Sequence, residues 1–106
     1  MRINQIRYFL VVCQEHSFTR AAHRCGVAQP TVTNAIKLLE REFGGAVLSR
    51  KPQVELTKLG QMIYPYLCRI VEAADLAYAV AKKGDGHTKE VVTILEVSAV
   101  PPSLLG

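Results

Sequence analysis

Ser17-Phe18-Thr19-Arg20-Ala21-Ala22-His23-Arg24-Cys25-Gly26-Val27-Ala28-Gln29-Pro30-Thr31-Val32-Thr33-Asn34-Ala35-Ile36-Lys37-Leu38-Leu39-Glu40 is the stretch that decides how this chain folds. Ser17 has a hydroxyl that accepts a backbone N–H from the following turn, and Phe18, Ala21, Ala22 and Cys25 then recur at helical spacing until Gly26 interrupts them. After Gly26-Val27-Ala28, Pro30 suits the first turn of a new helix, where its missing N–H has no intrahelical partner. Val32, Ile36, Leu39 and Phe43 form the apolar stripe of that helix, and Gly44-Gly45 supplies the positive φ that ends it. Two short helices separated by about four residues match a helix-turn-helix, whose second helix can lie in a major groove.

Outward from this pair, Ile6, Phe9, Leu10 and Cys13 place a first helix over 3–16, with Asn4 as a candidate cap. Downstream, Val47-Leu48-Ser49-Arg50 and Gln53-Val54-Glu55-Leu56 are β-capable runs around Lys51-Pro52, which predicts a small hairpin. Thr57 then caps a long amphipathic segment from Lys58 to Lys83, about 39 Å if continuous. Pro65 removes one backbone N–H and predicts a kink or broken turn. Along this helix Leu59, Ile63, Tyr66, Ile70, Ala73, Ala77 and Val80 alternate in steps of four and three. Three short helices cannot cover the whole seam, so it is expected to meet the same helix of a second chain. Gly84-Asp85-Gly86 reads as a linker and Val91-Val92-Thr93-Ile94-Leu95 as a buried strand before Pro101-Pro102. The expected organisation is therefore residues 1–57, a mainly α helix-turn-helix with a wing-sized hairpin; 58–83, a long dimerisation helix; and 84–106, a hinge and the first strand of an incomplete further domain.

The composition agrees with one folded unit. The 106 residues are 49% hydrophobic and 21% charged, an ordinary globular balance. No run reaches the roughly 18 to 20 apolar residues of a membrane span, and the N-terminal segment lacks a cleavage site, so a cytoplasmic protein with no membrane attachment is expected. Residues 1–83 hold 12 Lys/Arg against 6 Asp/Glu, whereas residues 84–106 hold Lys89 against three acids. The basic excess permits a polyanionic partner without proving one. Cys13, Cys25 and Cys68 form no C-x-x-C pair, and His16, His23 and His87 share no ligand spacing, so no disulfide framework, metal or other cofactor is expected. No G-x-S-x-G, phosphate loop or carboxylate pair supports an enzyme.

Ile6-Arg7-Tyr8-Phe9, Ser17-Phe18-Thr19-Arg20-Ala21-Ala22, Val27-Ala28-Gln29-Pro30-Thr31-Val32-Thr33, Ile36, Leu39-Glu40, Phe43-Gly44, Arg50 and Leu56-Thr57 with Gly60 occur in an order and spacing that resemble the N-terminal region of LysR-type transcriptional regulators. The resemblance covers roughly residues 3–83. It implies a winged helix-turn-helix, a linker helix paired antiparallel with that of another subunit, and an effector domain absent from this chain. It also implies double-stranded DNA as partner, a homodimer or tetramer, contact with RNA polymerase, and a small-molecule inducer only in a full-length protein. Ala28 stands where the family commonly has a capping Ser, and Asn34 where a base-contacting Arg is frequent.

On this reading the outward residues of the third helix, Gln29, Pro30, Thr31, Thr33, Asn34 and Lys37, form the reading surface. Gln29 and Asn34 carry the donor-plus-acceptor amide that pairs with adenine, Pro30 suits a thymine methyl, Thr31 and Thr33 suit a thymine methyl or a phosphate, and Lys37 suits a phosphate. Arg50, Lys51 and Gln53 at the wing suit phosphate or minor-groove contact. Ser17 and Arg20 are candidate phosphate ligands, with helix capping an equal reading for Ser17. Tyr64, Tyr66 and Tyr78 read as packing groups. The expected function is sequence-specific DNA binding to inverted-repeat half-sites; the alternative is a truncated interaction module that heterodimerises with full-length regulators. A winged-helix domain of another regulator type, such as the molybdate-responsive one, is a third and weaker reading.

Overall fold

The computed structural model describes residues 1–83; the linker and strand expected beyond Lys83, and His87, lie outside the described residues. The element order is α1 (Ile3–Glu15), α2 (Phe18–Cys25), α3 (Gln29–Phe43), β1 (Leu48–Ser49), β2 (Glu55–Leu56) and α4 (Lys58–Lys82). This is the mainly helical winged helix-turn-helix that the pattern implied. Chain contacts divide it after Glu72, so the last turns of α4 form a separate unit.

Each of α1, α2 and α3 packs against the other two. Ile6, Phe9 and Val12 from α1, Phe18, Ala21 and Ala22 from α2, and Val32, Ile36 and Leu39 from α3 make the shared core. Val47 and Leu48 close it from the wing side, and Leu67 from α4. Burying a side chain of the size of Phe9 or Leu39 contributes about 1.5–3 kcal/mol, so these contacts carry most of the stability of so small a unit.

The helix ends follow local chemistry. Ser17 Oγ accepts the Arg20 N–H at 3.0 Å. At the other end of α2, Gly26 takes φ 69°, and the Gly26 and Val27 amides return to the carbonyls of His23 and Ala22. That left-handed residue with its paired return bonds is a Schellman closure. α3 also ends on a left-handed glycine, Gly44 at φ 79°, but there the Gly44 and Gly45 amides both return to the Glu40 carbonyl; Gly45, expected to share the positive φ, does not have it. At the start of α1 the cap is not Asn4. The Arg2 backbone N–H donates to Gln5 Oε1 at 3.0 Å, because Asn4 already lies inside the helix. α1 closes on His16, left-handed at φ 53°, whose N–H returns to the Val12 carbonyl and whose Nδ1 is 3.2 Å from the Val54 carbonyl.

The wing is shorter than the two four-residue runs suggested. Only Leu48 pairs with Leu56 and Ser49 with Glu55. Thr57 fixes the junction beyond it. Its N–H donates to Val47 O at 3.1 Å and its hydroxyl to Ala46 O at 2.6 Å, while its Oγ1 accepts the Gly60 N–H. Glu40 Oε2 accepts the Val47 N–H at 2.9 Å from the α3 side. α4 is one helix that includes Pro65, so the turn there is not broken. Among the described residues, no helix is long and apolar enough to cross a membrane.

Candidate nucleic-acid interface

With Val32, Ala35, Ile36 and Leu39 turned into the core, the helical period sends the residues between them outward. Gln29, Pro30, Thr31, Asn34 and Lys37 are all exposed, and Thr33 is half-buried. The chain's own atoms do not cover this face. Ala28, at the cap position of α3, makes no side-chain bond, so the first amides of the helix have no side-chain acceptor from it. Thr19 on α2 donates to Gln29 Oε1 across a long 3.5 Å contact, which ties Gln29 to the preceding helix.

The cations fall into two groups. At the α1–α2 corner, Arg20 Nη2 donates to the Glu15 carbonyl at 2.6 Å, and Arg24 Nη1 to Gln14 Oε1 at 2.6 Å and Glu15 Oε2 at 3.2 Å. Arg20 is nonetheless 68% exposed, a surface pairing that costs little to exchange for a phosphate. Lys37, Arg50 and Lys51 are exposed, and among the described residues none of them makes an ion pair. Gln53 is exposed beside them at the wing. Ser17, half-buried, is occupied as the α2 cap, which leaves only its O–H to donate outward.

Between α3 and the base of the wing lies a cleft of about 260 Å³, whose lining includes Thr33, Lys37, Leu48, Phe18 and Arg50. The Arg50 guanidinium carbon stands 4.1 Å above the centre of the Phe18 ring. Sequence reasoning placed Phe18 only in the core. Residues 32 positions apart carry no local signal of stacking, so this pairing was not legible.

On α4 the expected seam divides. Leu59, Ile63 and Ile70 are half-buried against the core of their own chain, beside the fully buried Leu67. Tyr66, Ala73 and Ala77 are exposed and Val80 is half-buried. The exposed large apolar side chains of the helix are Met62, Tyr66, Leu76 and Tyr78, three of them outside the seam read from the sequence. Periodicity detects an apolar stripe but does not distinguish core from partner.

A second cleft, of about 370 Å³, opens among Cys13, His16, Glu55, Leu56, Gln61 and Tyr64. Burial, and next to it the neighbouring Cys68, pushes the Cys13 thiol up to about 12. Burial and Cys68 also raise the Tyr64 phenol. A thiol held neutral in this way is a packing group rather than a nucleophile.

The family model for bacterial regulatory helix-turn-helix proteins of the lysR family matches residues 3–61. The chain is 41% identical over 78 residues to the HTH-type transcriptional regulator BudR of Raoultella terrigena, covering 73% of this chain and 27% of that protein. Its fold superposes on full-length OxyR from Pseudomonas aeruginosa with a TM-score of 0.75 at 35% identity, over 82% of this chain and 30% of that one. It superposes on the BenM DNA-binding domain, solved with catB site 1 DNA, with a TM-score of 0.73 at 33% identity, over 78% of this chain and 94% of that one. The chain thus spans about a quarter of the length of the BudR protein it matches.

Proposed function

The chain belongs to the LysR family of bacterial regulatory helix-turn-helix proteins, and from that premise we propose that it is the DNA-binding part of a sequence-specific transcriptional regulator. The observation that carries this reading is the uncovered outer face of α3, where carboxamides, hydroxyls, a proline and a lysine stand exposed over a buried apolar stripe. Those groups match base edges and methyls in a major groove, with the lysine meeting a phosphate. The fold resembles, over most of its length, a BenM DNA-binding domain solved with DNA, which supports a DNA-binding reading.

Two copies join through the exposed apolar side chains of α4, and the two-fold axis presents a pair of α3 helices to inverted half-sites. Gln29, Pro30, Thr31, Thr33 and Asn34 read bases. Lys37, Arg50, Lys51, Gln53, Arg20 and Ser17 hold the backbone. A protein of this kind acts in the cytoplasm. Pairing of dimers into tetramers, contact with RNA polymerase and response to a small-molecule inducer belong to the complete regulator. The test is selection of bound duplexes from a random library: an enriched inverted repeat supports the reading, and an unenriched pool contradicts it.

A further inference from the structure

Two features of the α3–wing cleft sharpen this reading: an arginine seated over an aromatic ring, and a lysine on the α3 side with no carboxylate partner. Arg50 is exposed yet held, its guanidinium carbon 4.1 Å above the Phe18 ring centre, and Phe18 is only 6% exposed. A buried ring at the start of α2 is a rigid support, and stacking on its face leaves the edge N–H groups of the guanidinium unspent. Lys37 and Thr33 border the same cleft from α3. Among the described residues neither Lys37 nor Arg50 is ion-paired. Glu40, the acid in the cleft, has Oε2 committed to the Val47 N–H at 2.9 Å.

We propose that this cleft is a seat for a single backbone phosphate of duplex DNA, shared by Lys37 from α3 and Arg50 from the wing, with Phe18 as the residue that positions Arg50. The inference rests on the DNA-binding reading and adds to it a defined anion site. Arg50 is the wall of a cleft whose other wall is α3, so the wing base and the recognition helix grip one phosphate together. Phe18 touches no phosphate; it fixes the guanidinium plane and so lowers the ordering cost of the contact.

Counterion release makes this measurable, because each phosphate neutralised contributes about 0.9 to the slope of log affinity against log salt. The 106-residue chain is titrated with several random-sequence 24-base-pair duplexes over a salt series, as wild type, Lys37→Ala, Arg50→Ala, the double variant of these two, Phe18→Leu, and Phe18→Leu combined with Arg50→Ala. If one phosphate is shared, the double variant loses about one unit of slope rather than two, with affinity reduced uniformly across sequences. Phe18→Leu weakens binding severalfold in the wild-type background and has no effect in the Arg50→Ala background. A double variant that loses about two units means separate phosphates and overturns the shared seat. An unchanged slope overturns it as well. Should Phe18→Leu fail to fold, the exposed Lys37 and Arg50 variants still decide. Wild-type protein with no salt-dependent affinity for any duplex removes the DNA-binding reading itself, whereas a steep wild-type slope kept by the variants removes the seat alone.

Discussion

Gly60, in the first turn of α4, lies against the backbone carbonyl of Val47 with no room between them for a methyl group. The contact is part of the junction that Thr57 bonds to Ala46 and Val47, where the wing passes into α4. An alanine in a helix is ordinarily favoured over glycine by about 1 kcal/mol. Here the added carbon meets backbone rather than a side chain that can turn away. Gly60→Ala is therefore expected to destabilise the domain by about 1–3 kcal/mol, the cost typical of overpacking. Urea unfolding would show the midpoint falling, and a rise would contradict the contact.

Leu67 and Leu76 sit on one helix with opposite fates, 2% and 66% exposed. Leu67→Ala removes a core side chain and is expected to cost about 2–5 kcal/mol in the same unfolding experiment.

Leu76→Glu should leave the fold of residues 1–72 intact, since Leu76 lies outside that unit. It places a charge in the surface through which two copies are proposed to meet. Sedimentation equilibrium is expected to shift from dimer to monomer, with affinity for an inverted repeat falling more than affinity for a single half-site.

Asn34 and Lys37 separate reading from holding. Both are exposed, so neither substitution should move stability by more than about 0.5 kcal/mol. Asn34→Ala is expected to relax preference at one base pair of each half-site by about 1–3 kcal/mol and leave the salt slope unchanged. Lys37→Ala weakens all duplexes alike.

Cys13 gives a pH dependence with a definite sign. Its thiol is held up to about 12 by burial and by Cys68, against 9.0 for the free group. Between those values the unfolded chain releases a proton that the folded chain keeps, so the unfolded state binds fewer protons and stability falls as pH rises. Denaturant midpoints at about pH 8 and about pH 10.5 should differ more in wild type than in Cys13→Ala. Equal differences would contradict the burial of the thiol.

Much of this architecture is local and so could be read from the chain. Ser17, Gly26, Pro30 and Thr57 act on their own backbone neighbours, and the stripes of α2 and α3 follow the helical period. The surface face of α3 follows from the same period, since fixing Val32, Ile36 and Leu39 inward fixes Gln29, Asn34 and Lys37 outward. What escaped depends on distant partners. Asn4 reads as a cap by residue type, yet Gln5 makes the bond, because the helix begins at Ile3, two residues earlier than that choice requires. Leu59, Ile63 and Ile70 have the spacing of an interface, but the core of their own chain takes them up. Phe18 under Arg50 joins residues that only the folded wing brings together.

The central claim is that the outer face of α3 enters duplex DNA as one of a symmetric pair. It is tested most directly by equilibrium binding of the 106-residue chain to duplexes selected from a random library and to scrambled controls, across a salt series. The account predicts an inverted repeat as the selected site, a preference over the controls that Asn34→Ala reduces, and log affinity that falls linearly with log salt. Equal binding to selected and scrambled duplexes, or affinity indifferent to salt, would contradict it.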